Sequence, residues 1–163
     1  MTETWLDRVA LVWSASPDRT PSQTLALIDE LVAERPPTDA RAVFESASAR
    51  DYAHREAEAE PLYRQALALG IQDPHRARTV IQLAAVLRVL GRPTEAIVVL
   101  QDGFADDPDH YLGDAARATL ALALADSGDW QAATAVALDA LASHLPEYSL
   151  SVRASSAALL NTV

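Results

Sequence analysis

The chain has 163 residues, a formal net charge of −10 and no cysteine, and half of its residues are apolar. This length and composition predict one compact domain with a hydrophobic core and argue against wholesale disorder. The acidic charge makes nucleic acid and anionic membranes poor partners, and no apolar run is long enough to span a bilayer. The first residues include acidic side chains where a signal peptide needs basic ones, so a cytoplasmic protein is expected.

The first predicted unit, residues 1–38, is a degenerate pair of helices. Apolar residues at helical spacing predict one helix over residues 4–16 and a second over residues 22–34. The loop SPDRTP separates them, because proline and polar turn residues interrupt the helical pattern. The apolar face of the second helix consists of Leu25, Ile28, Leu31 and Val32.

Three later segments repeat with a period of 37 residues: 40–73, 77–110 and 114–147. The aligned sets are His54, Gly91 and Gly128; Ala59, Ala96 and Ala133; Tyr63, Leu100 and Ala137; and Leu67, Phe104 and Leu141. Proline closes two of the units, at Pro108 and Pro146. A fixed period in this range predicts a helical solenoid.

The middle unit predicts two antiparallel helices joined by a tight turn. Apolar residues recur every three or four positions in RARTVIQLAAVLRVL, residues 76–90, as in an amphipathic helix. Gly91 then ends this helix, because glycine adopts the left-handed conformation without strain. The second helix starts at Pro93, since proline suits the first helical turn. Residues 148–163 are predicted to form a lone helix that caps the end of the solenoid.

These landmarks resemble the tetratricopeptide repeat family, whose unit is a helix pair closed by proline. The blocks EAEPLYRQALALG and VIQLAAVLRVLGRPTEAIVVL resemble a small bacterial branch of that family. The resemblance implies an all-α fold: an α-solenoid of antiparallel helix hairpins in a right-handed superhelix, with residues 1–163 as one domain. The chain departs from the family pattern at His54, which replaces the glycine of the turn, and in its period, which is longer than the family's.

The resemblance also implies a concave groove that binds a protein or peptide. The family's groove positions correspond here to Trp13, Arg41, Phe44, Ser48, Asp51, Tyr52, Arg78, Ile81, Ala85, Arg88, Ala115, Ala118 and Leu122. Arg41 and Arg78 occupy the same repeat position, and arginine holds a carboxylate through two parallel hydrogen bonds. Acidic groups in the partner are therefore one option. The alternative, that these arginines are simply solvated, stays open.

Catalytic and metal-binding motifs are weak in this chain. The histidines His54, His75, His110 and His144 form no i, i+4 pair, and the acidic run DDPDH lacks the spacing of a calcium loop. We expect no enzyme activity, no metal and no cofactor, and we expect Trp5, Trp13 and Trp130 to be packing anchors. The leading function is a non-enzymatic protein- or peptide-binding module. A self-associating scaffold, such as a homodimer, is the alternative, ahead of a small-molecule-binding protein or an enzyme.

Overall fold

The computed structural model describes residues 4–107 and 109–161, and every regular element in that part of the chain is helical, as predicted. The helices are α1 (Trp5–Ser14), α2 (Pro21–Val32), α3 (Ala40–Tyr52), α4 (Glu56–Ala68), α5 (His75–Val89), α6 (Pro93–Phe104), α7 (Gly113–Asp126), α8 (Trp130–Ala142) and α9 (Ser149–Leu160). Within the described residues, none of these helices has the length and apolar character needed to cross a bilayer. Pro108, the predicted closing proline of one repeat, lies outside the described residues.

The first two helices differ slightly from the expected ranges. The chain leaves the α-helix after Ser14 and makes one 3-10 turn at Ser16–Asp18, because Pro17 cannot continue the α-helical hydrogen bonds. The next helix begins one residue earlier than expected, since Thr20 forms a capping box with Gln23. The sequence therefore determines both helix ends through local capping chemistry.

The 37-residue period appears in the structure as a repeated corner. The helices α4, α6 and α8 begin 37 residues apart, at Glu56, Pro93 and Trp130. The residues two positions before these starts are His54, Gly91 and Gly128, and their φ angles are 56°, 73° and 92°. The next backbone N–H at each corner donates five residues back, from Arg55 to Arg50 (2.9 Å), from Arg92 to Leu87 (2.8 Å) and from Asp129 to Leu124 (3.0 Å). This is the Schellman motif. His54 therefore has the same left-handed backbone conformation as the glycines at the other two corners, although it carries a side chain.

Contacts divide the chain into two compact units, the N-terminal unit up to Gln82 and the C-terminal unit from Leu83 onward. In the N-terminal unit, α1 packs against α2, α2 against α3, and α3 against α4. One core cluster there consists of Val9, Leu25, Ile28, Leu31 and Ala49. Trp5 and Trp13 pack against this cluster, as predicted for packing anchors.

In the C-terminal unit, α6, α7, α8 and α9 also pack in sequence order. The buried hydroxyl of Ser156 donates to the carbonyl of Ala135 at 2.7 Å, which holds α9 against α8. The prediction for Trp130 is wrong, because its side chain is 69% exposed. Trp130 is the first residue of α8 and precedes the turn in which that helix becomes buried, at Ala133.

Candidate functional site

Five side chains from α1, α3 and α5 form an unbroken run of contacts in the N-terminal unit. We call this run the polar strip; it consists of Tyr52, Trp13, Glu45, Arg41 and His75. The rings of Tyr52 and Trp13 meet edge-on with their centroids 5.9 Å apart. The indole Nε1 of Trp13 donates to Oε2 of Glu45 at 2.6 Å, and Nε of Arg41 donates to Oε1 at 2.8 Å. Nη1 of Arg41 then lies 3.3 Å from Nδ1 of His75.

The strip depends on Glu45, which the sequence analysis did not single out. Glu45 is only 2% exposed and lies in a stretch of α3, residues 42–49, that is buried throughout. Each of its two carboxylate oxygens has its own donor, so the buried charge is paired and hydrogen-bonded. The available signal was the spacing: a glutamate four residues after an arginine on one helix commonly forms an ion pair.

His75 is held neutral by its surroundings. Burial, together with the positive charges of Arg41 and Arg78, lowers the pKa of His75 to about 4. Because the guanidinium of Arg41 can only donate, Nδ1 of His75 is the acceptor and its proton lies on Nε2. At neutral pH the imidazole therefore offers one N–H donor and adds no charge to the strip.

Arg78 lies at the end of the polar strip, next to His75. It lies close enough to His75 for its charge to lower the pKa of that imidazole. Its side chain is exposed, and no carboxylate pairs with it among residues 4–107 and 109–161. The sequence explains why: the residue four positions later is Gln82, whereas the equivalent neighbour of Arg41 is Glu45. The side-chain oxygen of Gln82 is buried without a hydrogen-bond partner, so it does not serve Arg78 either.

Two predicted groove residues of α3 lie beneath the surface. Phe44 is 6% exposed and Ser48 is 8% exposed. The ring of Phe44 packs against the rings of Tyr63 and His75, with centroid separations of 6.3 and 5.3 Å. Ser48 accepts a long hydrogen bond from the hydroxyl of Tyr63. Both side chains therefore support the helices that carry the strip, while Ile81 on α5 is half-buried.

Asp51 joins α3 to α4. It accepts a hydrogen bond of 3.1 Å from the hydroxyl of Tyr63, a fully buried side chain of α4. Burial raises the pKa of Asp51, the Tyr63 hydroxyl opposes this effect, and the negative charge of Glu56 adds to it. Burial, together with the charge of Asp51, raises the pKa of Tyr63 well above its usual value. One carboxylate oxygen of Asp51 is thus used in the contact between α3 and α4.

A cleft of about 590 Å³ opens beside the polar strip. Its lining residues are Thr4, Trp5, Leu6, Arg35, Asp39, Ala40, Arg41, Gly70, Ile71, Gln72, Asp73 and His75. Arg41 and His75 thus belong to both the polar strip and the cleft. A single bound peptide segment can therefore enter the cleft and contact the strip. Trp5, Leu6 and Ile71 give the cleft an apolar part that suits a hydrophobic side chain.

The helix ends at this cleft already have their own caps. Asp39 accepts from the backbone N–H groups of Arg41 and Ala42 at the start of α3. Asp73 accepts from the N–H of Ala77 in the first turn of α5. Because these carboxylates occupy the positive helix ends, the ends are not open to an external anion.

The predicted residues of the C-terminal unit have mixed environments. Nε of Arg88 donates to Oδ2 of Asp126 at 2.7 Å, so this arginine is paired within its unit. Ala118 and Leu122 lie one turn apart on α7 and are exposed, and Leu122 is 51% exposed. Ala85 on α5 is half-buried. None of these four side chains takes part in a contact network like the polar strip within the described residues.

Within residues 4–107 and 109–161, no group of three histidine or acidic side chains is arranged to hold a metal ion. In the C-terminal unit, two side chains contact the carboxylate of Asp114. His144 lies 2.8 Å and Arg117 lies 2.7 Å from its carboxylate, and the hydrogen bond with His144, followed by that with Arg117, lowers the pKa of Asp114.

Comparisons with known proteins agree with the helical repeat. A family model described as tetratrico peptide repeat matches residues 40–159. Crystallised TPR-like repeats from Podosopora anserina, named after a kinesin light chain, are 19% identical, with a TM-score of 0.70 over 98% of this chain and 94% of that one. A MamA RS-1 double mutant is 16% identical, with a TM-score of 0.63 over 95% and 92% of the two chains. YrrB, described as a TPR protein with an unusual peptide-binding site, is 17% identical, with a TM-score of 0.57 over 96% and 87%. A search of curated proteins finds no match to this chain.

Proposed function

We propose a function from one premise: the chain belongs to the tetratricopeptide repeat family, whose model matches residues 40–159. The chain binds a segment of another protein along the polar strip of its N-terminal unit. The observation that supports this function is the strip itself, in which Glu45 holds Trp13 and Arg41 from two different helices. Side chains that are held in place before binding lose little conformational entropy when a partner arrives.

The strip favours a partner segment with an apolar side chain and an acidic group. The apolar side chain suits the cleft beside Arg41 and His75 or the exposed ring of Tyr52. The acidic group is better placed at Arg78 than at Arg41, because the charge of Arg41 is already balanced by Glu45. The N–H at Nε2 of His75 is available to a carbonyl oxygen of the partner.

The likeness to YrrB adds support at the level of the fold. That protein is described as having a peptide-binding site, and its repeats superpose on this chain at 17% identity. Because repeats of this kind serve many binding roles, the partner has to be inferred from the residues of the strip. The proposal assigns no catalytic step to the chain.

Selection from a random peptide display library tests the proposal directly. Peptides that bind the full chain are labelled, and their affinity is measured by fluorescence anisotropy. We expect Tyr52→Ala and Arg78→Ala each to weaken binding about tenfold, which corresponds to about 1.4 kcal/mol. Both side chains are exposed, so we expect both variants to fold like the unaltered chain, which circular dichroism checks.

Matched substitutions on α4 and at its C-cap, Leu69, serve as controls. Leu69→Ala and Arg64→Ala remove an exposed apolar and an exposed charged side chain outside the strip. We expect both control variants to bind the selected peptides like the unaltered chain. If the control variants lost as much affinity as the strip variants, or if the library yielded no binding peptide, the proposal would be rejected.

A further inference from the structure

The C-terminal unit has a polar cleft of its own, with a volume of about 470 Å³. Its lining residues are Asp109, His110, Tyr111, Asp114, Arg117, Asp139, Ser143 and Arg153. They come from the connection between α6 and α7 and from α7, α8 and α9. The cleft is lined mainly by polar and charged side chains, so its natural occupant is polar.

The charges of this cleft leave it with unsatisfied carboxylates. Asp114 already contacts Arg117 and His144. Asp109 and Asp139 have no ion-pair partner among the described residues. Arg153 offsets one of these two charges, so the cleft remains net negative and attracts a cation.

An aromatic side chain stands at the same cleft. Tyr111 is 66% exposed, and its ring lies against His110 with a centroid separation of 4.6 Å. An exposed tyrosine face beside free carboxylates suits a guanidinium group, which stacks on aromatic rings and donates to carboxylate oxygens in one plane. The preferred guest of the cleft is therefore an arginine side chain.

We infer that this guest is Arg78 of a second copy of the chain, an inference that goes beyond the proposed function of the polar strip. In the N-terminal unit, Arg78 is an exposed arginine without a carboxylate partner among the described residues, and Arg76 beside it has none either. In the C-terminal unit, Asp109 and Asp139 are carboxylates that form no ion pair with any described residue. The two surfaces have complementary charges, and each supplies what the other lacks.

The contact joins two different surfaces, so it is heterologous. Such a contact generates rings if its rotation closes and open chains of copies if it does not. Because exposed ion pairs contribute at most about 1 kcal/mol each, the association is weak, depends on concentration and is screened by salt.

Sedimentation velocity of the full chain over a wide range of concentrations, at low and at high ionic strength, tests the inference. We expect the weight-average mass to rise with concentration at low ionic strength and to return to the monomer value at high ionic strength. A chain that stays monomeric at low ionic strength and high concentration overturns the inference.

A charge swap identifies the two surfaces. We expect Arg78→Glu and Asp139→Arg each to abolish the rise in mass at low ionic strength, and the double variant with both changes to restore it. Arg64→Glu and Glu147→Arg make the same charge changes at exposed positions outside the two surfaces, and we expect both to associate like the unaltered chain. Association that survives Arg78→Glu, or a double variant that stays monomeric, contradicts the assignment.

The outcomes for this inference and for the proposed function are distinguishable. A chain that binds library peptides through Tyr52 and Arg78 but never self-associates retains the function and loses the inference. A chain that self-associates with full charge-swap rescue, but yields no library peptide, shows that Arg78 serves the second copy and that the strip has no general peptide site.

Discussion

The first turns of α3 and α5 carry the same arginine in two different states. Arg41 and Arg78 are 37 residues apart and occupy one repeat position, yet Arg41 pairs with a buried carboxylate and Arg78 pairs with none in the described part of the chain. The difference is one residue at the position four places later, Glu45 in α3 and Gln82 in α5. Equivalent repeat positions thus share a location on the helix without sharing a chemical role.

The comparison shows how a repeat protein separates stability from recognition. In α3, the ion pair of Arg41 and Glu45 has no net charge, and Glu45 holds the side chains of both Trp13 and Arg41 in fixed positions. In α5, the open position leaves a full positive charge on the surface of an acidic protein. Charge that is available to a partner comes from the repeat that lacks the carboxylate.

Removal of Glu45 should have the largest effect. Glu45→Ala leaves the Trp13 and Arg41 donors without their acceptor, so we expect the free energy of unfolding to fall by about 2–3 kcal/mol. Urea denaturation followed by circular dichroism measures the loss. Glu45→Gln, which keeps the size of the side chain and one acceptor oxygen, should lose less. Equal losses would indicate that the lost charge and hydrogen bond, rather than the cavity that only Glu45→Ala leaves, determine the effect.

The three corners provide a second comparison. His54 takes a left-handed conformation that glycine takes at the two equivalent corners, so we expect His54→Gly to raise the free energy of unfolding by about 0.5–1 kcal/mol. Gly91→Ala should lower it by about 1 kcal/mol, for reasons of backbone conformation alone, because an added Cβ meets no atom within 4 Å. Thermal and urea unfolding of both variants check the opposite signs. A destabilised His54→Gly variant would mean that the imidazole makes a compensating contribution.

The third prediction concerns pH. The folded-state pKa of His75, about 4, lies below the unfolded value of about 6.5. Between these two pH values His75 is protonated in the unfolded chain and neutral in the folded chain. Stability should fall as the pH drops from about 6.5 towards 4, by about 1 kcal/mol because His75 is partly exposed and screened. Urea unfolding at several pH values should show a flatter profile for His75→Gln.

The fourth prediction concerns Asp51, whose titration changes the stability with pH in the opposite direction to that of His75. Its raised pKa contributes stability that is present at low pH and is lost as the pH rises through the folded-state pKa. Asp51→Asn should therefore remove the part of the profile that His75→Gln leaves unchanged. If both variants had the profile of the unaltered chain, other groups would control the acid response.

The smallest expected effect concerns Arg78, which pairs with no carboxylate in the described part of the chain. Gln82→Glu gives Arg78 the carboxylate that Arg41 already has, and we expect affinity for acidic library peptides to fall about two- to fivefold, the size of a surface ion pair. Fluorescence anisotropy at low ionic strength measures the change. Peptides without acidic residues are the control and should bind unchanged; a loss for both classes would point to a structural effect of the new carboxylate.

The sequence predicted the helices well, because the relevant signals are local. Gly91 and Pro93 place the corner between α5 and α6. The start of α2 was predicted one residue late, because the capping box of Thr20 and Gln23 was not recognised. The 37-residue alignment also predicted that His54 stands where the other corners have glycine, and its positive φ confirms that equivalence.

The candidate site was less predictable, because it depends on contacts between distant residues. Trp13 and Glu45 are 32 positions apart, and no periodicity in the sequence links an indole to a carboxylate at that distance. Phe44 was predicted to line a groove, but packing against two neighbouring rings buries it. The position of a residue within a repeat predicts its place on the helix, whereas its neighbours decide whether it reaches solvent.

The corner that recurs before α4, α6 and α8 limits how such a chain can change in length. Each corner sets the exit direction of one helix through a hydrogen bond that spans a fixed number of residues. A one-residue insertion there breaks that bond, so the following helix loses the contact that fixes its exit direction. Natural variation in length at these corners is therefore expected to occur as gain or loss of a whole hairpin.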